Sequence, residues 1–249
     1  MSGTEAPVRF VVVSARRSGS NMLCTLLDAH PDVLCHHELF NPRGVFAALS
    51  CRTAPWCMDE LRQRDADPSG FLAQVWRRSA GYRAVGFKMT PGQSPSVLAA
   101  MLDDPGIRKI VLRRRNLVRT FVSERIAEAI DQWELYDAAE RMPDRPRVRV
   151  DVGALLHHVA DVQGFYRAVT GQMRATGQRW LEVAYETLAV HDAQSRLFDW
   201  LDVPALPEAV TARSVRQNPE PLEQLIANFR EVQALLKNHP LSRALRDAD

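Results

Sequence analysis

Apolar positions fall into short unbroken runs that alternate with stretches at helical spacing. Val8, Phe10, Val11, Val12 and Val13 form a β-branched run of the kind a buried parallel strand carries. Residues 82–89 alternate into a buried strand that ends at Lys88; Ile107, Ile110, Val111 and Leu112 mark another, and residues 180–185 one more near the C-terminus. A further strand is expected just before His36 and His37. Met22, Leu23, Leu26 and Leu27 are spaced as on a helix, as are residues 97–102 after the turn chemistry of Pro91 to Pro95. Residues 196–203 and 221–237 read as helices in the last third.

Strands interleaved with helices predict an α/β chain: a P-loop-like three-layer fold with a central parallel sheet flanked by helices. Residues 40–81, with Trp56 and Trp76, and residues 131–149, with several Pro and Arg, break the rhythm and are expected to form a substrate pocket or lid. No linker or repeat divides the chain, so one domain over residues 1–249 is the economical reading.

The first strand feeds directly into Arg16, Arg17, Ser18, Gly19 and Ser20, and Asn21 opens the helix pattern. Amides at a helix N-terminus lack intrahelical partners and carry the positive end of the helix dipole, so such a loop favours a phosphate or sulfate. Gly19 permits close backbone approach, the hydroxyls add donors and the arginines add charge. A βα turn with incidental Arg and Ser is the competing reading. The full G-x-x-x-x-G-K-[ST] pattern is missing and no Lys stands where it would reach outer phosphates, which disfavours a metal-dependent NTP enzyme.

A second basic cluster, Arg113, Arg114 and Arg115, ends the strand at Leu112, and Asn116 is a good N-cap for the helix that follows. Open α/β sheets bind ligands beyond the carboxyl ends of their strands, so both clusters are expected at one edge. Arg113 and Arg114 also read as a solvated cluster or a structural ion-pair site.

Composition changes little. The chain is 46% hydrophobic with a net charge of +2, too small for wholesale nucleic-acid binding, and the missing aromatic platform also counts against RNA or DNA. Of 32 basic residues only Lys88, Lys109 and Lys237 are lysine, which suggests a GC-rich bacterial genome. Residues 10–13 are too few for a signal-peptide core or a membrane span, so a cytoplasmic location with no integral membrane segment is expected. Cys24, Cys35, Cys51 and Cys57 form no C-x-x-C pair; a metal site with His30, His36 and His37 is conceivable, but reduced, mostly buried thiols and no metal are expected.

The run RRSGSN, its Leu-rich helix, HPDV and HHELF together resemble the 5'-phosphosulfate loop of sulfotransferases that use 3'-phosphoadenosine 5'-phosphosulfate (PAPS), and are most similar to the bacterial and carbohydrate branch that includes trehalose-type enzymes. Arg115 and Ser123 match in type and spacing the Arg and Ser that hold the 3'-phosphate in that family, although Asn116 and Leu117 replace its usual acid and Pro. Tyr185, Glu186 and residues 196–203 resemble the Y-E-D-L and F-L-G segments, and residues 213–219 the basic loop that closes over the nucleotide, bringing in Arg213 and Arg216.

The resemblance implies PAPS as co-substrate, bound by Arg16, Arg17, Ser18, Gly19, Ser20, Asn21, Arg115, Ser123, Arg213 and Arg216. It also implies sulfuryl transfer to a hydroxyl on a sugar, glycolipid or secondary metabolite. Arg17 stands where the family carries a catalytic Lys or Arg; as an arginine it acts electrostatically, without donating a proton. Glu38 is the base candidate if partial burial raises its pKa, with His36 and His37 orienting or replacing it. Lys88 is a further stabiliser of transferred charge. Glu38 as a mere partner of an arginine, and Trp133 and Tyr136 as either an acceptor stripe or core packing, remain open. A small-molecule P-loop kinase and a non-catalytic sulfate- or phosphate-binding module are the rival functions.

Overall fold

The computed structural model describes residues 6–51, 58–77 and 81–246. Five strands, β1 (Val8–Ser14), β2 (Val33–His36), β3 (Ala84–Met89), β4 (Ile107–Arg113) and β5 (Trp180–Ala184), form one sheet in the order β2-β3-β1-β4-β5. Every pairing is parallel, and β1 lies between β3 and β4. Helices α1 (Ser20–Leu27), α2 (Met58–Ala66), α3 (Pro68–Arg77), α4 (Pro95–Asp103) and α5 (Leu117–Ile130) belong to the first half. They are followed by α6 (Val152–Ala175), α7 (His191–Trp200), α8 (Leu222–Leu225) and α9 (Phe229–Leu235).

Alternation along the strands serves two cores, as a sheet buried on both faces requires. Val11, Val13, Phe87, Met89 and Val111 face α4 and α6 through Met101, Leu102, Val162 and Met173. Phe10, Val12, Ile110, Leu112 and Val183 face α1 and α7 through Leu23, Leu26, Leu27, Leu197 and Phe198. The chain leaves β1 toward β2 and β3 on one side, then crosses to β4 and β5 on the other. That reversal opens the crevice in which open α/β sheets hold ligands.

Three expectations are corrected in whole or in part, and one helix is added. Among the described residues of 40–81, Asn41, Pro42, Arg43 and Phe46 line a cavity as expected, whereas α2 and α3 deliver Leu61, Phe71 and Leu72 to the core, and Trp76 packs on Phe87 with ring centroids 5.8 Å apart. Trp56 and Cys57 lie outside the described residues. The sequence analysis places no helix at the 24-residue α6, although Leu155, Val159, Val162, Tyr166, Val169 and Met173 recur along it at helical spacing. No single helix runs from 221 to 237; Ile226 is extended and pairs with Val148, while the Asn228 amide donates to the Val150 carbonyl (3.0 Å) and accepts its N–H (2.9 Å). Finally, α1 starts at Ser20, with Gly19 rather than Asn21 at the boundary.

Among the described residues, no helix is long and apolar enough to cross a membrane, and no group of His, Cys, Asp and Glu could hold a metal ion. Cys24 and Cys35 are buried, and Cys51 is exposed.

Candidate active site

A cavity of about 1060 Å³ opens at the C-terminal edge of the sheet. Its wall carries seven cations, Arg16, Arg17, Arg43, Lys88, Arg114, Arg119 and Arg216, against three carboxylates, Glu38, Asp131 and Glu134. An anionic ligand fits that balance.

The loop after β1 is shaped by two left-handed residues, Arg17 at φ 59° and Gly19 at φ 87°. At Gly19 a Cβ would lie 2.1 Å from Cδ2 of Tyr185, so only glycine lets this ring close over the loop. Arg114 lies over the other part of the ring, 4.4 Å from its centroid, and donates to the Arg17 carbonyl at 3.2 Å. No side chain caps α1, and Gly19, Ser20 and Asn21 line the cavity, so the open amides of the first turn belong to its wall.

Arg17 binds three separate parts of the chain. Its guanidinium donates to Ser123 Oγ on α5 (3.0 Å), to the Trp133 carbonyl (2.9 Å) and to the Gln217 side chain. Burial first, then repulsion from Arg114, lowers its pKa to about 10, with Glu124 opposing the shift; it stays cationic at neutral pH. Arg16 reaches the Pro91 carbonyl (3.1 Å) and lies 3.6 Å from Glu124.

Lys88, at the end of β3, is buried, with its ammonium 3.1 Å from Glu38 Oε1 and bonded to Asn21 Oδ1. Asn41 donates to the other Glu38 oxygen. Burial pushes the Glu38 carboxyl up, but Lys88, Asn41 and Arg16 together pull it below its ordinary range. This corrects the expectation of a raised pKa: Glu38 is ionised, and its partner is a lysine.

Of the two histidines ahead of Glu38, neither lines the cavity. His36 accepts the Ala48 N–H through Nδ1 at 3.1 Å, and burial lowers its pKa to about 4. His37 Nδ1 lies 3.4 Å from Asn21 Oδ1, 3.3 Å from Tyr136 Oη and 4.0 Å from Glu134 Oε1. Tyr136 therefore packs edge-on against His37, while Trp133 is part of the cavity wall.

The second basic cluster is rearranged relative to the sequence reading. Successive side chains of an extended chain point to opposite sides. Arg113 lies over Tyr166 (4.3 Å) and pairs with Glu182 (3.2 Å), Arg114 turns into the cavity, and Arg115 is exposed and outside the wall. Arg115 contributes its backbone N–H to Glu186 Oε1 at 2.8 Å. Ser123 does line the cavity and also accepts from Asn218 Nδ2 at 3.2 Å. Asn116 caps α5 through the Arg119 N–H (3.0 Å) as expected. In the basic loop Arg216 lines the cavity, whereas Arg213 is exposed and does not. Ser18 is likewise turned away, its hydroxyl 3.5 Å from that of Tyr166.

Arg119, Gln217 and Asn218 were missed. Arg119 stands four residues before Ser123, one helical turn along the same face, a spacing that could have drawn attention to it. Gln217 and Asn218 lie in the 213–219 loop but carried no individual signal, since their side-chain partners are more than 70 residues away.

No family model matches the chain. Two sequences of nodulation protein H, one from Rhizobium meliloti and one from its strain 1021, are each 26% identical, and each alignment covers 96% of this chain and 96% of the relative. A solved structure described as a sulfotransferase from Alicyclobacillus acidocaldarius superposes with a TM-score of 0.51 at 17% identity, over 97% of this chain and 95% of that one. That likeness shows the shared fold. The chain is thus similar along nearly its whole length to nodulation protein H and shares the fold of a bacterial sulfotransferase.

Proposed function

We propose that this protein is a sulfotransferase that takes its sulfuryl group from PAPS and passes it to a hydroxyl of a sugar, glycolipid or secondary metabolite. The observation that carries the donor assignment is the meeting of two separate basic elements in one cavity: the Arg16–Asn21 loop and the Arg114, Arg119 and Ser123 group. A nucleotide with phosphates at both its 3' and 5' positions has an anion for each.

In this reading the loop and the α1 amides hold the 5'-phosphosulfate, and Arg114, Arg119, Ser123 and Arg216 receive the 3'-phosphate. Transfer forms a bond from the acceptor oxygen to sulfur and breaks the bond from sulfur to the bridging 5'-phosphate oxygen. Charge grows on that departing oxygen, and Arg17 and Lys88 supply the compensating positive field. Glu38, ionised and on the cavity wall, takes the acceptor proton; Lys88 and Asn41 fix its carboxylate. Asn21 joins Lys88 to His37, which positions this group from behind. Trp133, Phe46 and Met142 supply an apolar portion of the wall for the acceptor.

Incubation with PAPS labelled at sulfur and a panel of sugar, glycolipid and alcohol acceptors tests the proposal. Label is expected in an acceptor, with equimolar adenosine 3',5'-bisphosphate. Nucleotide binding without transfer to any hydroxyl compound would favour a binding module.

A further inference from the structure

Tyr166 is on α6, outside the cavity wall, and 4% exposed. β1 and β4 pair in parallel up to Ser14 opposite Leu112. One more step of that register would set Ala15 opposite Arg113, and the parallel ladder would run the Ala15 N–H to the Leu112 carbonyl. The Tyr166 hydroxyl stands in that place. It accepts the Ala15 N–H at 2.9 Å and donates to the Leu112 carbonyl at 2.6 Å.

The two strands part at this hydroxyl. β1 continues into the Arg16–Gly19 loop and β4 into Arg114, the two cationic elements between which the donor would lie. The ring is held from above by Arg113, 4.3 Å from its centroid, which itself pairs with Glu182. Burial raises the Tyr166 pKa, so the hydroxyl keeps the proton it donates.

We propose that Tyr166 is a positioning residue for sulfuryl transfer: its hydroxyl wedges the β1–β4 fork open by one residue and so sets the spacing between the phosphosulfate loop and Arg114. The inference rests on the PAPS reading. Without the hydroxyl, either two buried backbone groups lose their partner or the strands zip one residue further and carry the loop with them.

The test is calorimetry with adenosine 3',5'-bisphosphate on the wild type, Tyr166→Phe and Val169→Ala. Val169 is on the same helix and packs into the same core, so its truncation lowers stability without touching the fork. Tyr166→Phe is expected to weaken binding by about tenfold, the scale of one lost buried hydrogen bond, while Val169→Ala binds like the wild type. Should Tyr166→Phe be too unstable for calorimetry, the melting shift induced by the same nucleotide replaces it: small for Tyr166→Phe, full for Val169→Ala. Wild-type affinity in Tyr166→Phe, or equal loss in both variants, overturns the proposal. If the wild type itself does not bind the bisphosphate, it is the donor reading that fails.

Discussion

Arg17 Nε lies 3.0 Å from Ser123 Oγ although the residues are 106 apart in sequence, so the loop after β1 and the middle of α5 share one hydrogen bond at the floor of the cavity. The donor would meet both elements at once. Because the Arg17 fork also holds the Trp133 carbonyl and the Gln217 amide, a point charge cannot replace it. Arg17→Lys is expected to weaken binding of adenosine 3',5'-bisphosphate by about tenfold or more, measured by calorimetry. Unchanged affinity would mean that charge alone is needed there.

Buried Lys88 and half-buried Glu38 form an ion pair on the cavity wall. Glu38→Gln removes the proton acceptor but keeps the shape, so turnover is expected to fall by about a hundredfold with nucleotide affinity retained. Because Lys88 lowers the Glu38 pKa, Lys88→Met is expected to raise it, moving the acid limb of the rate profile upward in pH. Full turnover in Glu38→Gln would shift the base to Glu134 or a water.

His36 gives the fold a dependence on pH. Its pKa falls from 6.5 to about 4 on burial, so the native ring is neutral where the unfolded one is already protonated. The associated stability is complete above pH 6.5 and is lost as the pH falls toward 4, by up to about 3 kcal/mol. Denaturant unfolding over this range is expected to show the slope in the wild type and a shallower one in His36→Gln. Identical slopes would assign the acid sensitivity elsewhere.

Arg145 clasps the loop that closes the cavity. It donates to the Gln217 carbonyl and to Asn218 Oδ1 (3.0 Å) and pairs with Glu220, while its neighbour Arg141 reaches the Arg216 carbonyl at 2.8 Å. In Arg145→Ala, amides of residues 215–220 are expected to exchange faster with solvent deuterium, and nucleotide binding to weaken by a few-fold, about the worth of one exposed-edge contact. Unaltered exchange would leave the clasp without consequence.

Much of this was legible because it is local. The apolar runs that became β1, β3, β4 and β5, the Gly19 turn and the Asn116 cap each depend on a few consecutive residues. What escaped depends on contacts across the chain. Arg115 was read as the cavity residue from its spacing to Ser123, but which of three consecutive arginines turns inward is settled by the Tyr185 ring, 70 or more residues away. The rise in the Glu38 pKa expected from burial is reversed by Lys88, which comes from β3. The division of residues 221–237 was hidden for the same reason: Val148 and Val150 interrupt the helix that the pattern alone extends.

Calorimetric titration with adenosine 3',5'-bisphosphate, compared with ATP and Mg²⁺ under the same conditions, tests the central claim most directly. The two basic elements at one cavity are expected to give micromolar binding of the bisphosphate and a clear preference over ATP, of about tenfold or more. Micromolar binding of ATP with no preference for the 3'-phosphorylated nucleotide would contradict the account.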